Sequence, residues 1–268
     1  MRGEWTRYWR APDRPVEAMY AHFERHVYHR HSHESYSFGV TEAGTQAFRC
    51  RGGAHTSAPG MVMAFNPDDP HDGQAVDALG FTYRIIHLGP ELVGDVLADA
   101  RIRGGAPLFA SPVVDDPVLA ASLRDLHAGL LGGASALRQN ELTTRAVAAL
   151  ARRAAHLPGP GRQLDGVVAR ARAVLHDDPL ADVTADELAQ AAGTSRFALY
   201  RAFRRAYGMA PSDYQRQLRL REARGLLRAG TPPAEVAART GFADQSHLHR
   251  WFVRYYGLTP SKYAAGAQ

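Results

Sequence analysis

The feature that most constrains this chain is that its C-terminal third is written twice. The stretch ELAQAAGTSRFALYRAFRRAYGMAPSDY, from Glu187, is echoed by EVAARTGFADQSHLHRWFVRYYGLTPSKY, from Glu235. Glu187, Ala189, Gly193, Leu199, Phe203, Tyr207, Gly208, Pro211 and Tyr214 match Glu235, Ala237, Gly241, Leu248, Phe252, Tyr256, Gly257, Pro260 and Tyr263. The offset is 48 residues up to the glycine turn and 49 beyond it, so one inserted residue aligns every pair. Self-similarity at a fixed period marks a duplicated structural unit.

Each copy has the chemistry of two short helices around a tight turn. A small alanine stands four residues before a glycine (Ala189 and Gly193, Ala237 and Gly241). The glycine tolerates the left-handed backbone of a turn, and the alanine lets a second helix approach closely. That second helix sets Leu199 and Phe203, or Leu248 and Phe252, one turn apart for packing. It closes at Tyr-Gly, and the proline three residues later prevents continuation. Such a helix-turn-helix presents its second helix to the DNA major groove. Thr184 with Glu187 predicts a capping box, and Pro232-Pro233 predicts the start of the corresponding helix in the second copy. Between the copies, Ser212 to Leu227 predicts a connecting helix. Leu218, Leu226 and Leu227 form its apolar face, and Arg216, Arg219, Arg221, Arg224 and Arg228 its basic outside. Residues 166–176 predict an opening helix.

Charge follows the repeat. Residues 162–268 hold 16 Lys+Arg against 10 Asp+Glu, whereas residues 1–161 hold 16 against 17. A positive excess confined to one part points to a polyanion partner for that part. The basic residues are arginines apart from Lys262, which we attribute to a GC-rich bacterial genome.

On these residues the segment 162–263 resembles the DNA-binding domain of the AraC-type (AraC/XylS) transcription regulators, whose signature ending stands here as GFADQSHLHRWFVRYYGLTPSKY, Gly241 to Tyr263. The resemblance implies double-stranded DNA as partner and base contacts from the exposed faces of both second helices. Those faces hold Arg196, Phe197, Tyr200 and Arg201 in the first copy, and Gln245, Ser246, His247 and Arg250 in the second. Arg201 and Arg250 lead the set, because arginine pairs with guanine O6 and N7; glutamine pairs with adenine in the same two-point fashion. Arg204, Arg205 and Arg254 suit phosphates or the open surface.

The N-terminal half has a different rhythm. Residues 20–88 alternate short polar-apolar runs with Gly, Pro and Asp turns, which predicts a small β-barrel or double-stranded β-helix. Asp116 to Leu131 and Ser135 to His156 then show helical spacing around Gly132-Gly133, an αα-hairpin that covers the barrel or serves a dimer. The Pro/Gly-rich LPGPGRQ, Leu157 to Gln163, marks the boundary. The expected fold is therefore α+β multidomain: a cupin-like sensor barrel over 1–111, a helical hairpin over 112–157, a linker over 158–163, and an all-α domain with two helix-turn-helix units over 164–268.

HRHSHE, His29 to Glu34, sets three histidines at alternating positions, which one β-strand would point to one face. The half resembles the cupin sensors of many AraC-type members, and cupin metal sites use a His-x-His pair, a glutamate and a distant histidine. Here His31, His33 and His71 occupy the histidine positions, but Ser37 stands where the glutamate belongs. The turn before His71 is irregular too, with Asp69 in place of the expected glycine. Three readings remain open for His31, His33 and His71: the wall of an effector pocket, a divalent metal site, or a structural role. Glu42 is a candidate for contacting a cationic effector.

Cys50 is the only cysteine, which excludes an intrachain disulfide and a CxxC metal site. The N-terminal stretch lacks the apolar core of a signal peptide, and no apolar run approaches the ~20 residues of a membrane span, so the cytoplasm is expected. The expected function is a bacterial transcription regulator, activator or repressor, without enzymatic activity or resident cofactor. Its N-terminal barrel would sense a small molecule, with a homodimer and contact to RNA polymerase as further expectations. The alternatives are a metal-dependent cupin enzyme fused to a DNA-binding module, and a regulator that needs no effector.

Overall fold

The structure, a computed structural model, describes residues 3–101, 107–153 and 166–266. Two compact units divide the chain near residue 160. The expected linker, 158–163, lies outside the described residues.

Among the described residues the first unit has ten strands: β1 (Trp5–Arg10), β2 (Val16–Phe23), β3 (Tyr28–His31), β4 (Tyr36–Gly44), β5 (Gln46–Cys50), β6 (Gly53–Ser57), β7 (Val62–Phe65), β8 (His71–Ala75), β9 (Phe81–Leu88) and β10 (Val113–Val114). They form a six-stranded sheet in the order β1-β2-β9-β4-β7-β10 and a four-stranded sheet in the order β3-β8-β5-β6. Three helices accompany them: α1 (Pro90–Asp99), α2 (Pro117–Leu131) and α3 (Ala136–Arg153).

Alternation along the strands gives the larger sheet two working faces. One presents Val16, Ala18, Phe38, Val40, Ile86 and Leu88 to the hairpin residues Leu119, Leu123, Leu126, Leu130, Leu142 and Leu150, in one continuous core. The hairpin therefore packs as the sheet's cover. Truncating any one of its buried leucines to alanine would cost about 2–5 kcal/mol. The opposite face looks into the space between the sheets, where Phe65 meets Phe48 and stacks on His71 at 3.8 Å between ring centroids.

Two parts of the strand pattern differ from the sequence-based expectation. β1 and the start of β2 precede residue 20. β1 is an edge strand paired only with β2, and its half-exposed residues on both faces blur the alternation that identifies a strand. The histidine stretch is not one strand either: β3 ends at His31 and the chain resumes pairing only at Tyr36.

The second unit is helical: α4 (Gly166–Asp177), α5 (Ala185–Ala191), α6 (Arg196–Tyr207), α7 (Pro211–Arg228), α8 (Pro233–Arg239), α9 (Gln245–Tyr256) and α10 (Pro260–Ala265). Thr184 and Glu187 form the expected capping box at α5. Ser195 and Asp244 cap α6 and α9, and both helices end on a left-handed glycine, Gly208 (φ 68°) and Gly257 (φ 70°). Gly193 and Gly241 also take positive φ, 65° and 72°, in the turns. Leu199 and Phe203 are buried in the core of the first copy, and Leu248 and Phe252 are buried in the second.

The connecting helix α7 departs from its expected basic outside. Arg216 stacks over Trp251 at 3.9 Å, and Arg224 lies over the rings of Tyr256 and Tyr263. Arg219 donates to the carbonyls of Pro179, Ala181 and Gly241 at 3.0–3.3 Å. These arginines hold the helical unit together, as long side chains do when their stems cover apolar surface and their heads find acceptors.

Candidate functional site

The two second helices, α6 and α9, share one construction. Their buried side is anchored by the Leu-Phe pair, and the side N-terminal and outward of it is exposed. On α6, Arg196, Phe197, Tyr200 and Arg201 are all exposed, as expected. Phe197 is 68% and Tyr200 45% exposed, unusual for large rings, and the Arg201 guanidinium rests 4.9 Å from the Phe197 ring. Arg196 pairs with Asp186 at 3.1 Å on the surface. A helix face that carries bare aromatic rings among arginines is built for contact with something other than water.

On α9, Gln245, Ser246 and Arg250 are exposed, but His247 is not part of that face. Its Nε2 accepts a hydrogen bond from Trp251 Nε1 at 2.9 Å, and its ring lies 5.5 Å from that of Phe242. The exposed imidazole belongs to His249. The repeat itself held that signal, because the offset of 49 residues aligns His249 with Tyr200 and His247 with Ala198.

The histidines of the barrel converge despite the break in their strand. One ligand nitrogen from each of His31, His33 and His71 lies within 4.8 Å of the others. His31 Nε2 and His33 Nε2 are 3.1 Å apart. His29 is not in the set; it contributes its carbonyl, which accepts from His31 Nδ1 at 2.6 Å. The Asp69 carbonyl does the same for His71 Nδ1 at 2.8 Å. A carbonyl only accepts, so both rings carry their proton on Nδ1 and a lone pair on Nε2. Burial holds His31 well below the ordinary imidazole range and His71 down to about 4, so both are neutral at pH 7.

The irregular turn before His71 has a physical basis. Asp68 takes the left-handed φ of 60°. The Asp69 carboxylate accepts from the Asn66 amide at 2.9 Å and from Arg51 Nε at 3.0 Å, leaving its carbonyl to orient His71.

Two further residues reach this interior that the sequence did not announce. His87 on β9 has its ring 4.6 Å from that of His33, and its Nδ1 meets the Ser37 hydroxyl at 2.8 Å. His87 is the register partner of Ser37 on β4 and of Glu17 on β2. Directly opposed residues of antiparallel strands share a face, so Glu17, His87 and Ser37 form a row across the sheet. Glu17 is buried.

Glu42 is not brought to the histidines. Its carboxylate is held by Arg84 Nε at 3.0 Å and Arg124 Nε at 2.9 Å, which ties β9 and α2 together. Next to this junction His127 of α2 is fully buried. Its Nε2 donates to the Met19 carbonyl at 3.0 Å, and Arg84 lies 3.2 Å from its Nδ1. An open cavity of about 530 Å³, lined by Gly3, Trp5, Thr6, Arg7 and Tyr20, includes none of the clustered histidines.

Comparison with known proteins adds three findings. Residues 15–152 match the family of AraC-like ligand binding domains, and residues 188–266 match a helix-turn-helix domain family. The HTH-type transcriptional regulator YbfI of Bacillus subtilis (strain 168) is 30% identical over 224 residues, 81% of this chain and 80% of that protein. Among solved structures, ToxT from Vibrio cholerae O395 has a similar fold, with a TM-score of 0.55 at 11% identity over 99% of this chain and 98% of that one. ToxT of strain SCE256, solved with an unsaturated fatty acid bound, gives 0.55 at 9% identity, covering 100% and 98%.

Proposed function

Because the chain belongs to the AraC family of DNA-binding transcription regulators with a ligand-binding N-terminal domain, we propose that it reads a two-part operator through α6 and α9. The observation that carries this reading is the pair of exposed faces. Arg196, Phe197, Tyr200 and Arg201 form one, and Gln245, Ser246, His249 and Arg250 the other, at equivalent positions of a duplicated unit. Arg201 and Arg250 supply two-point contacts to guanine, Gln245 to adenine, and Phe197 and Tyr200 apolar surface for thymine methyls. Two helices on one rigid unit enter successive major grooves about 34 Å apart on one side of the duplex.

The barrel's role is regulatory rather than catalytic, in keeping with relatives that are regulators. A ligand bound there changes DNA binding only insofar as its affinity differs between two states of the protein. The exposed Val118 and Leu137 on the hairpin support a homodimer through that surface, and an activating regulator would touch RNA polymerase at its promoters. Among the described residues no helix is long and apolar enough to cross a membrane, which supports a cytoplasmic setting.

Selection of duplexes from a random pool by the full-length protein tests the reading. The expected outcome is a bipartite consensus whose two conserved blocks lie one helical turn apart, about 10 base pairs. Enrichment of a single short block, or of no sequence at all, would contradict it.

A further inference from the structure

We propose that the barrel interior holds one divalent transition-metal ion on the Nε2 atoms of His31, His33 and His71, with His87 supporting the site from beside His33. The rings are arranged for this before any ion arrives. A metal needs a neutral imidazole with its lone pair on the nitrogen that faces the site, and metal-ligating histidines are usually held in that state by a carbonyl or carboxylate on the other nitrogen. The carbonyls of His29 and Asp69 provide it for His31 and His71. Ring stacking of Phe65 on His71 fixes the orientation as well.

The dimensions agree with an ion. At a metal–nitrogen distance of about 2.0–2.1 Å, two ligands of a tetrahedral site stand about 3.3 Å apart. His31 Nε2 and His33 Nε2 are separated by 3.1 Å, and the third nitrogen lies within 4.8 Å of both. Ring centroids stand 4.5 Å apart for His31 with His71 and 5.2 Å for His33 with His71, so the three rings converge on one point. The donor set is all imidazole, which suits zinc, cobalt, nickel or copper rather than magnesium or calcium.

The row Glu17, His87, Ser37 completes the site in an unusual way. A serine at position 37 gives no carboxylate ligand, but its hydroxyl orients His87 at 2.8 Å toward a neighbour, His33, that belongs to the cluster. The buried Glu17, two strands from Ser37 and on the same face, is a carboxyl group whose ionised form would offset a divalent cation in a poorly solvated interior. The site thus combines histidines from β3, β8 and β9 and from the segment after β3.

The inference concerns the barrel alone; only a link between occupancy and operator binding rests on the regulator reading, and the experiment separates the two. Full-length protein is stripped with a chelator, checked for metal by elemental analysis, and titrated with Zn²⁺ and, for its visible spectrum, Co²⁺. The expected result is one equivalent per chain and Co²⁺ ligand-field bands of a low-coordinate nitrogen site. His33→Ala and His71→Ala abolish stoichiometric uptake, while His29→Ala keeps it. His87→Ala and Glu17→Gln retain one equivalent with affinity lowered on the order of 10-fold or more. Circular dichroism on each variant distinguishes lost ligands from lost fold; His33, only half-buried, is the variant least prone to unfold. Failure of the folded wild type to take up an equivalent, or uptake unchanged in a folded His33→Ala, overturns the proposal. Binding of a selected operator duplex is measured on the apo and loaded protein in parallel. Metal uptake without sequence-specific binding in either state would sink the regulator reading and leave the metal site standing.

Discussion

At the scale of single residues, the histidines show how little a residue's identity says about its work. His31 and His71 line the barrel interior, His127 fastens a helix to a sheet, His247 is tied into its own helix, and His249 faces outward. His127 is the clearest case for a pH-dependent contribution. Burial depresses its pKa to about 4, whereas the unfolded imidazole titrates near 6.5. Between these values the unfolded chain binds more protons, so this contribution is complete above pH 6.5 and is lost as the pH falls toward 4. The full shift corresponds to about 3 kcal/mol. His127→Gln keeps a donor for the Met19 carbonyl and does not titrate. Urea unfolding at a series of pH values should show a shallower loss of stability in the variant between pH 6.5 and 4. His247 and His249 give a second test. His249→Ala should alter base preference by about 1–3 kcal/mol with stability unchanged. His247→Ala should lower stability through the lost Trp251 contact and leave preference intact, as paired melting and binding curves would show.

At the scale of elements, the repeat was legible because its anchors are local: a glycine turn, a Leu-Phe pair and a closing Tyr-Gly need no distant partner to be recognised. A parallel contact accompanies those anchors. Arg170 on α4 donates to the Ala192 carbonyl at 2.7 Å, and Arg219 on α7 reaches the Gly241 carbonyl in the equivalent turn, although the 48-residue offset that precedes the turn sets Leu218 opposite Arg170. Each helix-turn-helix is thus preceded by a helix whose arginine caps the turn, so α7 opens the second copy as well as connecting it to the first. Arg219→Ala should destabilise the helical unit by about 1.5–3 kcal/mol, the worth of hydrogen bonds to a charged group. Hydrogen exchange should locate the loss at residues 179–181 and the turn around Gly241. The histidine cluster was only half legible. His31 and His33 are separated only by Ser32, but β3 ends at His31. His87 lies within the apolar run FTYRIIHLG, and Glu17 sits on a strand that alternation did not reveal. What unites them is strand register, which depends on which strands become neighbours.

At the scale of the molecule, charge and structure divide in the same place. The excess of positive charge belongs to residues 162–268, the part that carries both exposed helix faces. Several of its arginines are spent on internal contacts, so the number that meets phosphate is smaller than composition suggests. Each phosphate neutralised steepens the salt dependence of binding by about 0.9 in log K per log salt, and that slope counts the arginines left for DNA. The central claim is that α6 and α9 read bases, which the slope cannot show, because phosphate contacts bind every sequence alike. The direct measurement compares wild type and Arg250→Ala at one fixed salt concentration, on the selected duplex and on a scrambled duplex of equal length. The account predicts that the variant loses about 1–3 kcal/mol on the selected duplex and almost nothing on the scrambled one. Equal weakening on both would make Arg250 a phosphate contact and contradict the assignment of α9 as a reading helix.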